Sequence, residues 1–170
     1  MKTLTAIITL LTVLSTGICQ AETPRYTGDA LADLPGVAIS VEPVAETLGD
    51  KGMTAFVFSV EIERRLKDAG IPVILSDTEP IPGNATLYIA VTAVIDEYVE
   101  HCAYSIRLEF IQDVRLERAP DVTLPGIATW SAGGVGVYAK GWRQAMLDDV
   151  VTYTDEFIDA FLAANPSPVE

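Results

Sequence analysis

Residues 86–95 read TLYIAVTAVI, and residues 102–110 read CAYSIRLEF. In the second stretch apolar side chains alternate with polar ones, which is the period of a strand with one buried face and one solvated face. In the first stretch both faces are largely apolar, which is typical of a central strand. Residues 96–101 between them are polar and of hairpin length. The two stretches therefore predict a long antiparallel hairpin at the centre of a sheet.

Two helices are predicted, one on each side of this hairpin along the chain. Apolar residues recur at helical spacing over residues 53–69, and Gly70 with Pro72 gives a stop signal. Residues 141–164 carry a broader apolar stripe, which ends where Asn165 precedes a proline. We expect so broad an apolar surface to lie against a sheet.

Further short strands complete the predicted fold. Residues 37–41 alternate, residues 71–76 are short and apolar, and residues 127–131 follow a predicted turn at residues 119–125. The strand–helix–strand opening favours a parallel crossover. We therefore predict an α+β domain over residues 36–165, in the order β-α-β-β-β-β-α. It is a two-layer sandwich in which two helices cover one face of a mixed, mostly antiparallel sheet of about five strands.

The N-terminus has the layout of an export signal. Lys2 precedes an uncharged apolar stretch at residues 4–14, and Ala21 fits the position before a cleavage site. Lipidation of Cys19 is the alternative, although Ile18 stands where a lipobox has a small residue. The apolar stretch is too short to cross a bilayer, which needs about 20 apolar residues.

These signals set the expected boundaries and location of the protein. We expect residues 1–21 to be removed and residues 22–35 to form a flexible or loosely docked arm. Residues 166–170 form a short tail. The predicted location is the bacterial periplasm or the exterior of the cell, with no transmembrane segment after cleavage.

The composition is acidic. The chain carries 11 basic and 24 acidic residues, a formal net charge of −13, and loss of Lys2 with the signal would bring the charge near −14. Nucleic acid needs a basic surface, so this class of partner is excluded, and anionic lipid headgroups are disfavoured as well. After cleavage Cys102 is the only cysteine, which excludes an intramolecular disulfide. We expect it to be buried and apolar in character, a reactive thiol being the alternative.

One cluster of candidate metal ligands or acid–base residues lies at the predicted hairpin turn, namely Asp96, Glu97, Glu100 and His101. Hard cations take carboxylate oxygens, and zinc accepts histidine together with carboxylates. The spacing matches neither an EF-hand loop nor a zincin helix, and a solvated turn explains the same residues. His101 is the only histidine, and regular strand geometry points it away from Cys102, which works against a Cys–His pair. No cofactor is predicted.

A second candidate site lies between the last predicted strand and the last helix. Gly133, Gly134 and Gly136 precede Lys140 and Arg143 at a predicted helix start, an arrangement that resembles an anion-binding nest. The endings of phosphate-binding and dinucleotide-binding loops are absent, and glycines at a strand end also form bulges or turns. Two tryptophans flank this segment and could line a ligand groove or pack in the core. They are Trp130 and Trp142.

The element order resembles that of small α+β modules of bacterial envelope accessory proteins. Examples are the N-terminal domain of the Tol-Pal system's periplasmic protein and the transport-auxiliary and lipopolysaccharide-assembly lipoproteins. The phrases most similar to these families are GIPV at residues 70–73 and ATW at residues 128–130. The resemblance implies roles in binding and assembly rather than in catalysis.

The absence of a connected catalytic constellation favours a non-enzymatic exported domain that binds a protein partner in the cell envelope. An exposed apolar face on residues 87–95 would support this hypothesis, because contiguous apolar surface marks contacts. One alternative is a carrier of small anionic or apolar ligands with a groove near residues 130–143. Another is an enzyme that depends on His101 or on a metal ion held at residues 96–101.

Overall fold

The computed structural model describes residues 28–74, 81–96, 98 and 101–166. The predicted signal peptide, the first part of the predicted arm and residues 167–170 lie outside the described residues. Within the described part of the chain, none of the helices has the length and hydropathy that a membrane span requires.

A mixed four-stranded sheet forms one layer, in the order β1-β2-β3-β4. Strand β1 (Ala38–Val41) runs parallel to β2 (Thr86–Asp96), and β2 is antiparallel to β3 (His101–Leu116). Strand β4 (Ala119–Tyr138) pairs antiparallel with β3. The predicted hairpin and the central position of β2 are thus confirmed. Over the part of the chain that the structure describes, the predicted parallel crossover from residues 37–41 to residues 71–76 is reduced to a single bridge, and β1 instead runs parallel to β2. The class is α+β, as predicted.

The sheet has four strands rather than about five because residues 71–76 add no full strand within the described residues. Only Val73 forms an isolated parallel bridge, with Val37, and residues 75 and 76 lie outside the described residues. The proline at position 72 has no N–H to donate, and its carbonyl accepts the Val37 N–H at 3.0 Å. A β-carbon at Gly36 would lie 2.4 Å from that carbonyl, so this close approach requires glycine.

Strand β4 is much longer than the predicted strand at residues 127–131. The predicted turn at residues 119–125 is instead the first part of β4, and the chain reverses at residues 117 and 118. The pairing with β3 contains three register irregularities, and the left-handed Gly126 donates its N–H to Asp113 Oδ1 at 3.1 Å. Bulges of this kind let an edge strand carry proline and glycine without ending.

The helices form the second layer, on one face of the sheet as predicted. Helix α1 (Glu46–Gly49) is short, α2 is Ala55–Asp68 and α3 is Trp142–Ala164. Thr54 caps α2, since its Oγ1 accepts the N–H of Val57 at 3.3 Å. Arg65 of α2 donates from Nε to Asp155 Oδ1 of α3 at 2.9 Å, which fixes the two helices side by side.

A short 3₁₀ helix (Gly28–Leu31) closes the far end of this layer and brings part of the predicted arm onto the domain. Leu31 is fully buried, and its carbonyl accepts the side-chain N–H of Asn165 at 2.7 Å. The carbonyl of Ala30 accepts a side-chain N–H from Gln112 at 3.0 Å. Residues 28–31 are therefore held at the junction of α3 with the sheet.

An aromatic cluster joins α3 to the sheet. Phe157 is fully buried, and its ring centroid lies 5.6 Å from that of Phe110 on β3 and 5.2 Å from that of Trp130 on β4. Phe161 continues the cluster one turn further along α3. Trp130 therefore belongs to the core, the second of the two roles considered for it.

Removal of the Phe157 ring should destabilise the fold severely. The variant Phe157→Ala loses buried apolar area and leaves a cavity, so we expect the free energy of unfolding to fall by about 3–5 kcal/mol. Leu162→Ala on the same helix is the control, because this side chain is exposed and its loss should cost less than about 1 kcal/mol. Urea unfolding followed by circular dichroism measures both, and equal losses would contradict the packing described.

Candidate functional site

The sheet face opposite the helices carries an apolar patch. Val94, Val135 and Val137 on this face are 76%, 79% and 73% exposed. Val94 lies opposite Ala103, and Ala103 lies opposite Val137 on the next strand, so the side chains are neighbours across β2, β3 and β4. We name these four residues, Val94, Ala103, Val135 and Val137, the bare-face patch.

The rest of the same face is polar and internally paired. Tyr88 donates its hydroxyl to Glu42 Oε2 at 2.8 Å, and the hydroxyls of Thr92 and Ser105 share a hydrogen bond of 2.8 Å. The Arg107 guanidinium lies 3.4 Å from a Glu109 carboxylate oxygen. The apolar side chains are therefore concentrated at the end of the face near the β2–β3 turn.

The outer edge of β4 adjoins the bare-face patch. Within the described residues no strand pairs with this edge, and residues 127–138 contain neither a charged residue nor a proline. The other edge strand, β1, has only four residues and is closely followed by Pro43. Charges, prolines and short length are the usual protections of an edge strand, and residues 127–138 of β4 form the edge segment without them.

The glycines of the predicted anion nest lie inside β4, where they make room for side chains. A β-carbon at Gly134 would lie 2.3 Å from the Tyr153 hydroxyl, and one at Gly136 would lie 2.5 Å from the Tyr104 ring. A β-carbon at Gly133 would lie 2.3 Å from a backbone carbonyl oxygen of β3. None of the three has a left-handed backbone. Their role in the structure is close approach.

Two carboxylates lie on the side of α3 above the β4 edge. Tyr104 donates its hydroxyl to Asp149 Oδ2 at 2.8 Å and stacks on Tyr138 with ring centroids 5.8 Å apart. Positions 149, 153 and 156 fall on one side of a helix, and Tyr153 of this side contacts β4. Burial raises the pKa of Tyr104, of Tyr153 and of the Glu156 carboxyl. We name Asp149 and Glu156 the acidic flank.

The two cationic residues of the predicted anion nest, Lys140 and Arg143, do come together in one cleft. A cleft of about 300 Å³ is lined by Lys140, Arg143 and Trp142, and also by Asp96. The Arg143 guanidinium lies 5.0 Å from the centroid of the Trp142 ring. Neither Lys140 nor Arg143 forms an ion pair within the described residues.

A third cation of the cleft, Lys51, was missed by the sequence analysis. It comes from the loop between α1 and α2, far from the last helix in sequence, and no local pattern marks it. Helix α3 begins at the cleft without a side-chain cap, because Gly141 occupies the N-cap position. The backbone N–H groups of its first turn add partial positive charge at this point.

The structure tests the predicted metal site only in part. Asp96 and His101 lie opposite each other across β2 and β3, while Glu97 and Glu100 lie outside the described residues. Among the residues that are described, no group of three or more potential ligands is close enough to hold a metal ion. His101 is exposed and Cys102 is fully buried, on opposite faces as expected, and burial raises the pKa of the Cys102 thiol.

A second apolar surface is a groove between α2 and α3. Phe56 and Val60 are exposed on α2 and face Leu147 and Val151 of α3 across a cleft of about 400 Å³. Polar residues share the lining of this groove, as Asp96 and His101 share the surface beside Val94, Ala103 and Val137. The polar residues of the groove are Glu61, Gln144 and Asp148.

Comparisons with known proteins give no family for the chain. No protein-family model, curated protein or solved structure matches it. The resemblance in element order to bacterial envelope modules therefore stays a prediction. Function is inferred from the surfaces described above.

The close approach at Gly136 gives a stability test. In Gly136→Ala the new methyl group meets the Tyr104 ring, which the hydrogen bond to Asp149 holds in place, so we expect a loss of about 1–3 kcal/mol. This loss exceeds the gain of about 0.4–1 kcal/mol that a less flexible unfolded chain would bring. Val135→Ala, at an exposed neighbouring position, should change stability by less than about 0.5 kcal/mol. Thermal unfolding compares them, and equal stability of the two variants would refute the contact.

Proposed function

We propose that this protein is a non-enzymatic, exported domain of the cell envelope that binds a protein partner through the bare-face patch. The observation that supports this most is the exposure of Val94 on the central strand, continuous with Val135 and Val137 at the edge. Contiguous apolar side chains on a soluble surface are typical of interaction sites. Their burial by a partner would remove apolar area from water.

The charge of the protein supports a protein as the occupant. A chain with a net charge of −13 repels phosphate backbones and anionic lipid surfaces. The four residues of the bare-face patch carry no charge, so a protein surface with apolar side chains can cover them without burying an unpaired charge. The adjacent β4 edge offers backbone groups that only another polypeptide can pair in register.

The bare-face patch is favoured over the helix groove as the main surface. A partner in the groove would have to desolvate Glu61 and Asp148 along with the apolar side chains. At the bare-face patch, the polar neighbours already satisfy one another through the Thr92–Ser105 hydrogen bond. One carboxylate, Asp96, lies beside the bare-face patch together with His101, whereas two carboxylates line the groove, so fewer carboxylates are desolvated at the patch.

Charged substitutions in the bare-face patch should abolish partner binding. A photo-crosslinking residue placed at position 103 should give a crosslinked partner when the protein is expressed in the native envelope. Val94→Lys or Val137→Lys should reduce the yield of this crosslinked product at least about tenfold, because binding of the partner would bury an unpaired charge. Val122→Lys is the matched control, since Val122 is an exposed valine on the distant part of β4.

A fourth variant decides between the two apolar surfaces. If Phe56→Lys removes the partner from the envelope complex while Val94→Lys and Val137→Lys leave it in place, the partner occupies the helix groove. That result would overturn the proposed role of the bare-face patch.

The second candidate function is binding of a small anionic ligand in the cleft at the start of α3. The observation that favours it is the convergence of Lys140 and Arg143 in an otherwise acidic chain, in a cleft whose lining also includes Lys51 and Asp96. Phosphate or carboxylate oxygens would contact the Lys140 ammonium group, the Arg143 guanidinium group and the backbone N–H groups in the first turn of α3. The cleft is about 300 Å³, the lower limit of the usual size of small-ligand sites.

Inorganic phosphate is the probe for this cleft. At about 100 times its dissociation constant, a ligand raises the free energy of unfolding by about 2.7 kcal/mol, which a thermal-shift measurement detects. The Lys140→Gln, Arg143→Gln double variant should lose this shift, and Arg118→Gln on the β3–β4 turn should keep it. An equal shift in all three proteins would show a general effect of the salt and refute the site.

A further inference from the structure

The exposed edge of β4 separates two different chemical environments. On the bare side lie Val135 and Val137, which are largely exposed and apolar. On the helix side lie the tyrosines of the sheet–helix contact and, above them, the acidic flank. Between these two sides, the outer backbone of β4 is not paired with any described strand.

An added strand would place its side chains alternately into these two environments. Neighbouring strands lie about 4.8 Å apart, and successive side chains point to opposite faces. Side chains on the bare side would pack beside Val135 and Val137. Side chains on the other side would pass Gly134 and Gly136, which have none of their own, and would meet tyrosine rings and carboxylates.

The helix side of this edge selects for positive charge. Asp149 and Glu156 contribute two carboxylates, and Tyr138 and Tyr153 contribute aromatic rings nearby. A lysine or arginine side chain of an added strand can form an ion pair with these carboxylates and a cation–π contact with these rings. No cation lies among residues 127–138, so β4 itself offers no charge that would balance the acidic flank.

We propose that β4 accepts an extended segment of a partner protein by strand addition, and that this segment alternates apolar residues with lysine or arginine. The proposal rests on the proposed partner-binding function and specifies its mode and the chemistry of the partner. Main-chain hydrogen bonds to the β4 edge supply affinity, and the two environments of its side chains supply register and specificity.

A second copy of the chain is a poor occupant of this edge. Antiparallel pairing of two β4 strands in one continuous sheet places both α3 helices on the same face. The acidic flanks of the two copies then face each other, and like charges oppose association. The segment 127–138 of the second copy also lacks the cations that the acidic flank requires.

The probe is a synthetic peptide of about nine residues in which valine and lysine alternate, long enough at about 3.4 Å per residue to follow β4 from Trp130 to Tyr138. Three comparison peptides each remove one feature of the probe. A peptide with separate valine and lysine blocks removes the alternation, and a peptide of alternating valine and glutamate removes the positive charge. The probe with alternate backbone nitrogens methylated loses the main-chain N–H donors. Fluorescence anisotropy measures binding to the full mature chain. We expect the probe to bind at least about tenfold more tightly than each comparison peptide.

Variants locate the peptide on the edge. Val135→Lys on β4 should weaken binding of the probe at least about tenfold, and Val94→Lys on β2 should weaken it less. Val122→Lys, at an exposed valine of β4 outside residues 130–138, should leave it unchanged. The Asp149→Asn, Glu156→Gln double variant keeps a hydrogen-bond acceptor for Tyr104 and should remove the preference for lysine over glutamate. Hydrogen exchange of the amides at residues 131–137 should slow when the probe binds.

The outcomes separate the strand-addition proposal from the proposed function. Equal loss of probe binding in Val94→Lys and Val135→Lys would mean docking on the face, which overturns strand addition and keeps partner binding. A dimer that Val135→Lys dissociates, seen by sedimentation, would assign the edge to a second copy and overturn the proposal. Probe binding that survives in every variant, or no preference among the peptides, overturns it as well. The crosslinking result at Ala103 decides the proposed function independently.

Discussion

The packing of α3 against β3 and β4 is the contact on which the other features depend. Phe157 fills the space between Phe110 and Trp130, and the strand carries glycine where the tyrosine side chains cross it. The buried apolar side chains of α2 and α3 share one core, and the Arg65–Asp155 pair joins the two helices at its edge, so both helices lie on one face. None of the described helices covers the opposite face of the sheet. The exposed apolar patch on that opposite face is a consequence of this one-sided arrangement.

The distribution of charge follows the same asymmetry. Arg64 and Lys67 are bound to carboxylates on the exposed surface of α2, where such pairs contribute little to stability. The cationic cleft lies instead at the start of α3, and the acidic flank lies further along this helix, on the side of Tyr153. A long edge strand with carboxylates on one side and apolar side chains on the other is suited to pair with an extended segment in which cationic and apolar residues alternate. The overall negative charge makes the cationic part of that segment a source of both attraction and orientation.

The sequence predicts the helices and strands more closely than it predicts the details of the candidate site. The alternation of residues 86–95 and 102–110 identified β2 and β3, and helical spacing identified α2 and α3, because these patterns report directly which side chains are buried. The glycines before α3 were interpreted as an anion nest or as turn residues. Local sequence contains no sign that Tyr104 and Tyr153 would cross them. Lys51 was missed for a similar reason, since its neighbours in space are distant in sequence.

Periodicity and composition are properties of consecutive residues, and they suffice to predict the class of the fold, the acidic character of the protein and the central hairpin. Three features depend on contacts between distant parts of the chain. They are the identity of the bare sheet face, the extension of β4 through the predicted turn, and the single bridge that residues 71–74 form in place of a strand. Both faces of residues 86–95 are apolar in sequence, but burial of each face depends on where the helices lie. The predicted hairpin forms the centre of the sheet, and the position of α3 on it decides which face of the sheet is left bare.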